Sequence, residues 1–436
     1  MQKTDRCQKY YHLDKYGFNR HENAEAASMR TPEMANTKTP AAEPTHVRAA
    51  PSHPDPYPYY ARLAREQPMA RDEANGWWVA ASAAAVNEVL TSEICLTRPA
   101  DGPVPAALRD GAMAEIFGRL VRLRDDDARK PLKNAVLAAL RGLDLAEVGR
   151  LTRARAAELD DELGLPLDES KTTQFMFALP VQVTAQLLGV PAVRYGDVMS
   201  WLGDYGAATA SAATGVPAAS AELFERGHRG AQALLDLFGG LRSGSGGGGP
   251  LFNALVREAR DAGCGDERDV VANAIGFMIQ GYAATASLIG STLLALARQP
   301  SLRRQVEENR ALLRDVIQEV LRCDPVTNST IRFMARDGVI AGQTVRQGEM
   351  IIVLIAAANR DPALNADPDR FDAERPDRKY LELGAGPHAC PADKFAPFIA
   401  MIAVDHLLSR GVPLERLESA LSYAASGHIR TPLFKR

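Results

Sequence analysis

From Val270 to Ala297 the chain carries no charged residue, and this stretch limits the architecture more than any other. A run of this length can cross a bilayer. It also fits the central helix of a large globular protein, which is apolar nearly all round. Asn273, Gln280, Thr285, Ser287, Ser291, Thr292 and three glycines dilute it, and Asp and Arg flank it with no aromatic belt. The core reading therefore takes precedence, and no membrane is implied. A helix from about Asp266 to Gln299 would span ~50 Å, and 436 residues are enough to bury it. A hydrophobic fraction of 46% with 24% charged residues suits a soluble fold built around such a helix.

Residues 1–50 are polar, rich in Ala, Thr, Pro and charge, and carry no helical or strand period. They are expected to be a disordered extension, with Met29 or Met34 as alternative starts. Residues 51–436 then form one domain whose first helix follows Asp55-Pro56-Tyr57. No secretory signal is visible at the N-terminus. A net charge of −3 gives no reason to expect a nucleic-acid partner. Cys7, Cys95, Cys264, Cys323 and Cys390 are scattered without a C-x-x-C pair, which suits a reducing cytoplasm rather than a disulfide framework or a zinc site.

Helices are expected at Ser82–Leu90, from Asp125 to Leu140, at Leu143–Leu163, Thr172–Leu188, Ser301–Asn309 and Arg310–Leu321. A strand is expected at Trp77–Ala80, and a small sheet through 330–336, 339–340, 344–345 and 350–354. Residues 98–111 and the Gly/Ser stretch 239–250 read as loops. The small-residue stretch 201–221 is either an ordinary helix-loop-helix or a mobile segment.

Leu383-Gly384-Ala385-Gly386-Pro387-His388-Ala389-Cys390-Pro391-Ala392 precedes an apolar, helix-like run from Lys394 to Leu408. Gly384 and Gly386 allow a sharp turn and close approach to a flat ligand. A following helix N-terminus favours the thiolate of Cys390, and a thiolate so held can ligate haem iron. A lone cysteine is more often a small buried hydrophobe, so the whole pattern must carry the reading. It resembles the haem-binding loop of the cytochrome P450 family, Phe-Gly-x-Gly-x-His/Arg-x-Cys-x-Gly/Ala. Leu383 departs from it, standing where the family has phenylalanine near the sulfur.

Other segments resemble the same family, in order, from about Asp55 to Arg436. Glu319-Val-Leu-Arg322 matches its E-x-x-R pair, Asn359-Arg360-Asp361-Pro362 its Asn-Arg-Asp-Pro segment, and Asp367 to Pro376 its meander. The resemblance implies a mainly α fold with a small β subdomain, with haem b between the long central helix and the cysteine-loop helix. It implies Cys390 as the iron ligand and a buried Glu319–Arg322 pair bracing the loop. It implies His388 and Arg332 as holders of haem propionates. Counting from Asp125, Arg129 and Lys133 stand at the family's other propionate-binding His and Arg places, where Lys133 lacks the bidentate geometry of Arg. A solvated basic helix face explains those two cations equally well.

Opposite the iron the family usually has Ala-Gly-x-Asp/Glu-Thr-Thr; this chain has Gln280-Gly281-Tyr282-Ala283-Ala284-Thr285. Gly281 keeps the place of closest approach to the haem. The acid place is Ala283 and the first threonine place is Ala284. Thr285 follows about 100° further round the helix. In the family an acid, an alcohol and ordered water carry protons to the reacting oxygen, and two alanines cannot. Gln280 or Tyr282 could relay, or the substrate could bring its own hydroxyl or amine.

The resemblance implies a monooxygenase that inserts one oxygen atom into a small organic substrate, of the kind bacterial members tailor in natural-product pathways. Electrons would come from NAD(P)H through a ferredoxin and its reductase, because the chain has no flavin or iron–sulfur motif of its own. The alanine pair keeps open a peroxygenase, a coupling catalyst, a dehydratase or isomerase, and a non-catalytic haem sensor.

Overall fold

A computed structural model describes residues 42–214, 221–243 and 247–435. The expected disordered segment lies outside the described residues over 1–41. Residues 42–50 do not fit that expectation: Val47 and Ala50 are buried against Tyr60, Val79 and Ile352. The ordered chain thus begins before Asp55.

The first helix and strands are α1 (Tyr57–Glu66), β1 (Met69–Asp72), β2 (Trp77–Ala80), α2 (Ala83–Thr91) and β3 (Cys95–Leu96). A helical body follows: α3 (Ala112–Arg119), α4 (Arg129–Arg141), α5 (Leu145–Leu163), α6 (Glu169–Leu188), α7 (Tyr195–Thr214), α8 (Ala221–Ser243), α9 (Pro250–Asp261), α10 (Glu267–Arg298), α11 (Pro300–Glu308) and α12 (Leu313–Cys323). Then come β4 (Thr330–Met334), β5 (Gly338–Ile340), β6 (Gln343–Val345), β7 (Met350–Val353), α13 (Ile355–Asn359), α14 (Phe395–Ser409), α15 (Leu414–Leu417), β8 (Leu421–Tyr423) and β9 (Pro432–Phe434).

Several helices start just after a side chain that accepts from their first turn: Ser82 from Ala85 N, Asp144 from Ala146 N, Asp168 from Lys171 N and Asp266 from Arg268 N. Each acceptor satisfies an amide that the helix itself leaves unpaired. The expected loop at 239–250 starts too early, since α8 runs through Gly239 and Gly240 to Ser243; residues 244–246 lie outside the described set. Of the small-residue stretch 201–221, α7 takes residues up to Thr214, and 215–220 lie outside the described residues.

The strands expected through 330–354 do not form one sheet. β4 and β7 join the N-terminal strands in the order β1-β2-β7-β4-β3, with β2 and β7 parallel (Trp78 opposite Ile351), while β5 and β6 form a hairpin of their own. A local reading pairs neighbours in sequence; here β7 is placed by β2, which comes far earlier in the chain.

The central helix α10 packs against α3, α6, α8, α12 and α14. It is long and apolar enough to cross a membrane, yet most of it is buried inside the fold. Arg430, just before β9, is 2% exposed. It donates to the carbonyls of Pro51, His53 and Pro54 at 3.0, 2.6 and 2.9 Å and to Asp324 at 3.2 Å. This guanidinium fastens the C-terminal hairpin to the segment before α1.

Candidate functional site

The cysteine loop is closed by its own backbone. Cys390 N donates to Leu383 O at 2.7 Å and Gly384 N to Leu381 O at 2.8 Å. Gly384 and Gly386 have φ of +69° and +63°, a region that favours glycine. At Gly386 the close neighbour is protein: an added Cβ would lie 2.9 Å from Leu90 O and 3.0 Å from Thr91 Cα, at the end of α2. The expected helix-terminus effect on the sulfur needs correction, because α14 begins only at Phe395, well past Cys390. Burial raises the Cys390 thiol's pKa, against the pull of the Ala392 amide and the nearby Lys133 cation.

A charge network with a fully buried centre ties α12 to the segment before the loop. Glu319 and Arg322, both 0% exposed, pair at 2.7 Å. Arg322 also donates to Pro368 O and Arg370 O at 2.7 and 3.0 Å. Glu319 accepts from Arg378 at 2.9 Å and from Asp372 N at 3.0 Å, and Arg375 lies 3.5 Å away. Helical i, i+3 spacing puts Glu319 and Arg322 on one face of α12; the meander supplies the remaining partners. Asn359, at the end of α13, donates to Leu321 O and accepts from Leu381 N at 2.7 Å, which ties α12 to the cysteine loop. Glu382 accepts from Thr327 N at 2.9 and 3.1 Å. Burial raises its carboxyl to about 8 despite those hydrogen bonds.

Beside the loop, cations gather around one carboxylate. His388 Nε2 lies 2.9 Å from Asp125 Oδ1, and Asp125 Oδ2 accepts from Thr97 N at 2.8 Å. Burial opposes its ionisation, yet these hydrogen bonds hold the Asp125 carboxyl below the usual range. Arg129 donates to Pro387 O at 3.2 Å and Lys133 to Ala389 O, so both grip the carbonyls of the cysteine loop. Arg332 is 6% exposed and donates to Ile331 O at 2.8 Å on its own strand. Arg98 reaches Gly118 O at 3.3 Å and leaves its buried Nε without a partner. Burial lowers the pKa of Arg98, Lys133 and Arg332. Among the described residues none of Arg98, Arg129, Lys133 and Arg332 pairs with a carboxylate.

Across from the loop, α10 is buried at every residue from Asp269 to Leu294 except Phe277 and Ile279–Ala284. This partly exposed stretch opens onto the interior next to α14, the helix that follows the half-buried cysteine loop. An added Cβ on Gly281 would meet only Thr285 Oγ1, at 4.0 Å. Gln280 is exposed and donates back to Gly276 O at 2.9 Å. Tyr282 turns toward α6, its ring centroid 5.2 Å from that of Phe177. Ala283 and Ala284 present methyl groups. Thr285 is buried, with its hydroxyl toward the Gly281 turn.

Comparison with known proteins gives this arrangement a family. The sequence model described as Cytochrome P450 matches residues 252–410. A protein named Vitamin D(3) 25-hydroxylase, from Pseudonocardia autotrophica, is 31% identical over 64% of this chain and 70% of its own length. The chain belongs to the cytochrome P450 family. A second relative of this P450 is the 20-oxo-5-O-mycaminosyltylactone 23-monooxygenase of Streptomyces fradiae, 29% identical over 80% of this chain and 81% of that one. The crystal structure of CalO2 superposes with a TM-score of 0.73 at 26% identity, covering 87% of this chain and 96% of that one.

A P450 carries haem whose iron is ligated by a cysteine thiolate, and Cys390 stands at that place. The residues present fit the group. Desolvated cations without carboxylate partners are costly, and the two propionates of a haem would supply negative charge to them. On the opposite side Gly281 leaves room for a flat ring. Asp125, Arg98, Glu382, Arg375 and Arg378 complete the site without having been expected from the sequence. The only sequence signal for the last two is the crowding of Arg370, Arg375 and Arg378 in the meander.

Proposed function

We propose that this P450 is a monooxygenase that inserts one atom of dioxygen into a small organic substrate of natural-product type. Haem iron held by Cys390 supplies oxygen activation when bound. The second oxygen atom leaves as water, which takes up two electrons and two protons. The electrons come from NAD(P)H through a ferredoxin and its reductase. The observation that carries this reading is a cysteine loop braced by Glu319–Arg322 beside Arg98, Arg129, Lys133 and Arg332, none of which is in an ion pair among the described residues. The hydroxylase and monooxygenase named among its relatives support the reaction class.

His388, Arg332, Arg129 and Lys133 hold the propionate side, and the last two also fix the loop carbonyls. On the distal side the protein supplies shape rather than protons. The side chains of Ala283 and Ala284 have no exchangeable hydrogen, and the Gln280 amide is already turned onto Gly276 O. Tyr282 turns toward Phe177 and the Thr285 hydroxyl toward the Gly281 turn, so in this reading the protons come from a hydroxyl or amine of the bound substrate, with the water it orders.

The alanine pair also favours a second reading, a P450 that draws its oxygen atom from peroxide and needs no proton delivery to dioxygen. Turnover separates the two. With ferredoxin, reductase and NADPH, a candidate substrate should yield an oxygenated product containing label from ¹⁸O₂. Product from hydrogen peroxide alone, with none under reducing conditions, would replace the first reading by the second. NADPH consumption that yields only peroxide across a broad substrate panel would count against the monooxygenase.

A further inference from the structure

Three arginines follow one another closely where the chain passes from α3 to α4, and they are treated differently. Arg119 pairs with Glu115, Asp266 and Asp269 at 2.7, 2.8 and 2.9 Å. Arg124 pairs with Asp126 and Asp269 at 2.7 and 3.0 Å. Arg122 lies between them, and among the described residues it has no ion-pair or hydrogen-bond partner. Its side chain is open to solvent, yet the protein surrounds it closely enough that burial lowers its pKa. The anchoring of this segment on α10 places the guanidinium in a cleft beside that helix.

The position of that cleft follows from two anchors on α10. Asn273 accepts from Val121 N and donates to Arg119 O, both at 2.9 Å, so the backbone on either side of Arg122 is pinned one turn before the open stretch 277–284. Just past the other end of that stretch, Ser287 donates to Ala283 O and bonds Thr431 Oγ1 at 2.8 Å. Thr431 follows the turn that carries His428, whose ring meets Ser329 Oγ at 3.0 Å. The Arg122 segment and the His428 turn thus flank the part of α10 that faces the cysteine-loop side. They are close enough for the Arg122 charge to act on His428, whose pKa burial, Arg48 and Arg122 together lower to about 4.

Tyr205 on α7 is within electrostatic reach of Arg122. It is 1% exposed and its hydroxyl has no partner. Burial raises the pKa of that hydroxyl, and Arg122 is the one charge set against the rise. Arg48, the other cation that acts on His428, lies next to Gly427, where an added Cβ would be 3.1 Å from its Nε, and its buried Nη2 is also unpartnered. No carboxylate among the described residues answers Arg48 or Arg122. A desolvated cation is costly unless an anion reaches it, and a planar guanidinium suits a carboxylate held by two parallel hydrogen bonds.

We propose that Arg122 is a specificity residue that binds a carboxylate on the substrate, with Tyr205 positioning the guanidinium and the His428 turn flanking the same cleft. The inference rests on the reading of this cleft as the substrate site of a haem-thiolate enzyme, and its test reports on the two separately. The probes are imidazole, ω-(imidazol-1-yl)alkanoic acids of graded chain length, and their methyl esters, titrated into holoenzyme at neutral pH. The azole reports haem ligation through the visible spectrum whatever the natural substrate is.

At one or more chain lengths the acid should bind about 10-fold or more tightly than its ester, as expected for a charge-assisted pair. Arg122→Gln should remove that preference, Arg122→Lys should restore part of it, and Tyr205→Phe should weaken it by a smaller factor. All three variants should bind plain imidazole as the parent does, which checks that they fold and load haem. Acids that bind no better than esters at any length would overturn the inference and leave the haem site standing. So would a preference that survives Arg122→Gln. Absence of any spectral shift with imidazole itself would remove the haem reading and this inference with it.

Discussion

On the cysteine-loop side, Glu319 is held by Arg322, Arg378 and a backbone amide, all drawn from different turns of the chain. Across the site, Gly281, Ala283 and Ala284 offer no polar side-chain atom at all. The proximal side is over-determined: each group has several partners, and losing one leaves another stranded. The distal side is under-determined: its residues fill little space and make few directional contacts. Such a division lets the ligand cysteine stay fixed while the substrate side changes. It also predicts that substitutions on the two sides will affect different observables.

The largest effect should come from the ligand itself. Cys390→Ser should abolish the red-shifted Soret band of the ferrous–CO complex and all oxygenation, and an unshifted band in the parent protein would sink the assignment. Next comes the brace. Glu319→Gln keeps the shape but leaves Arg322 and Arg378 facing a neutral amide, which should cost about 3–5 kcal/mol in denaturant unfolding. A loss below about 1 kcal/mol would mean that the network behaves like a surface pair, and the contrast between the two sides would fail.

On the distal side, Ala283→Asp combined with Ala284→Thr should leave stability nearly unchanged while lowering peroxide release per NADPH several-fold. An unchanged peroxide yield would show that the substrate already delivers the protons. Glu382 gives the proximal side a pH signature. Its carboxyl ionises near 8 in the fold against an ordinary 4.5, so the folded chain holds a proton that the unfolded chain has lost. Stability should therefore decline as pH rises from about 4.5 toward 8, and Glu382→Gln should flatten that decline in melting experiments. The smallest effect is expected at Gly281→Ala. Replacing a helical glycine should stabilise the haem-free chain by about 0.5–1 kcal/mol, because the new methyl meets no protein atom closer than Thr285 Oγ1. Substrate-induced spin shifts should weaken all the same.

The tight turn of the cysteine loop and the buried Glu319–Arg322 pair were legible because each sits in a local pattern of fixed spacing. Partners brought together from distant segments were not. Asp125 and His388 lie 263 residues apart, and nothing near either names the other. Glycine misled at the C-terminal end of α8. Its helix propensity is about 1 kcal/mol below that of alanine, yet Gly239 and Gly240 continue the helix to Ser243, and an added Cβ at either would meet nothing within 4 Å. Arg122 was passed over because a basic residue in a loop looks solvated until the pairing of its neighbours is known.

The Arg430 fastening bears on the order in which the chain is made. Residues 51–54 leave the ribosome early, but the guanidinium that caps their carbonyls follows 379 residues behind Pro51. Closing so long a loop is entropically slow relative to local helix formation. The segment before α1 therefore spends most of synthesis without its final partner, and this corner of the fold is the last to be sealed.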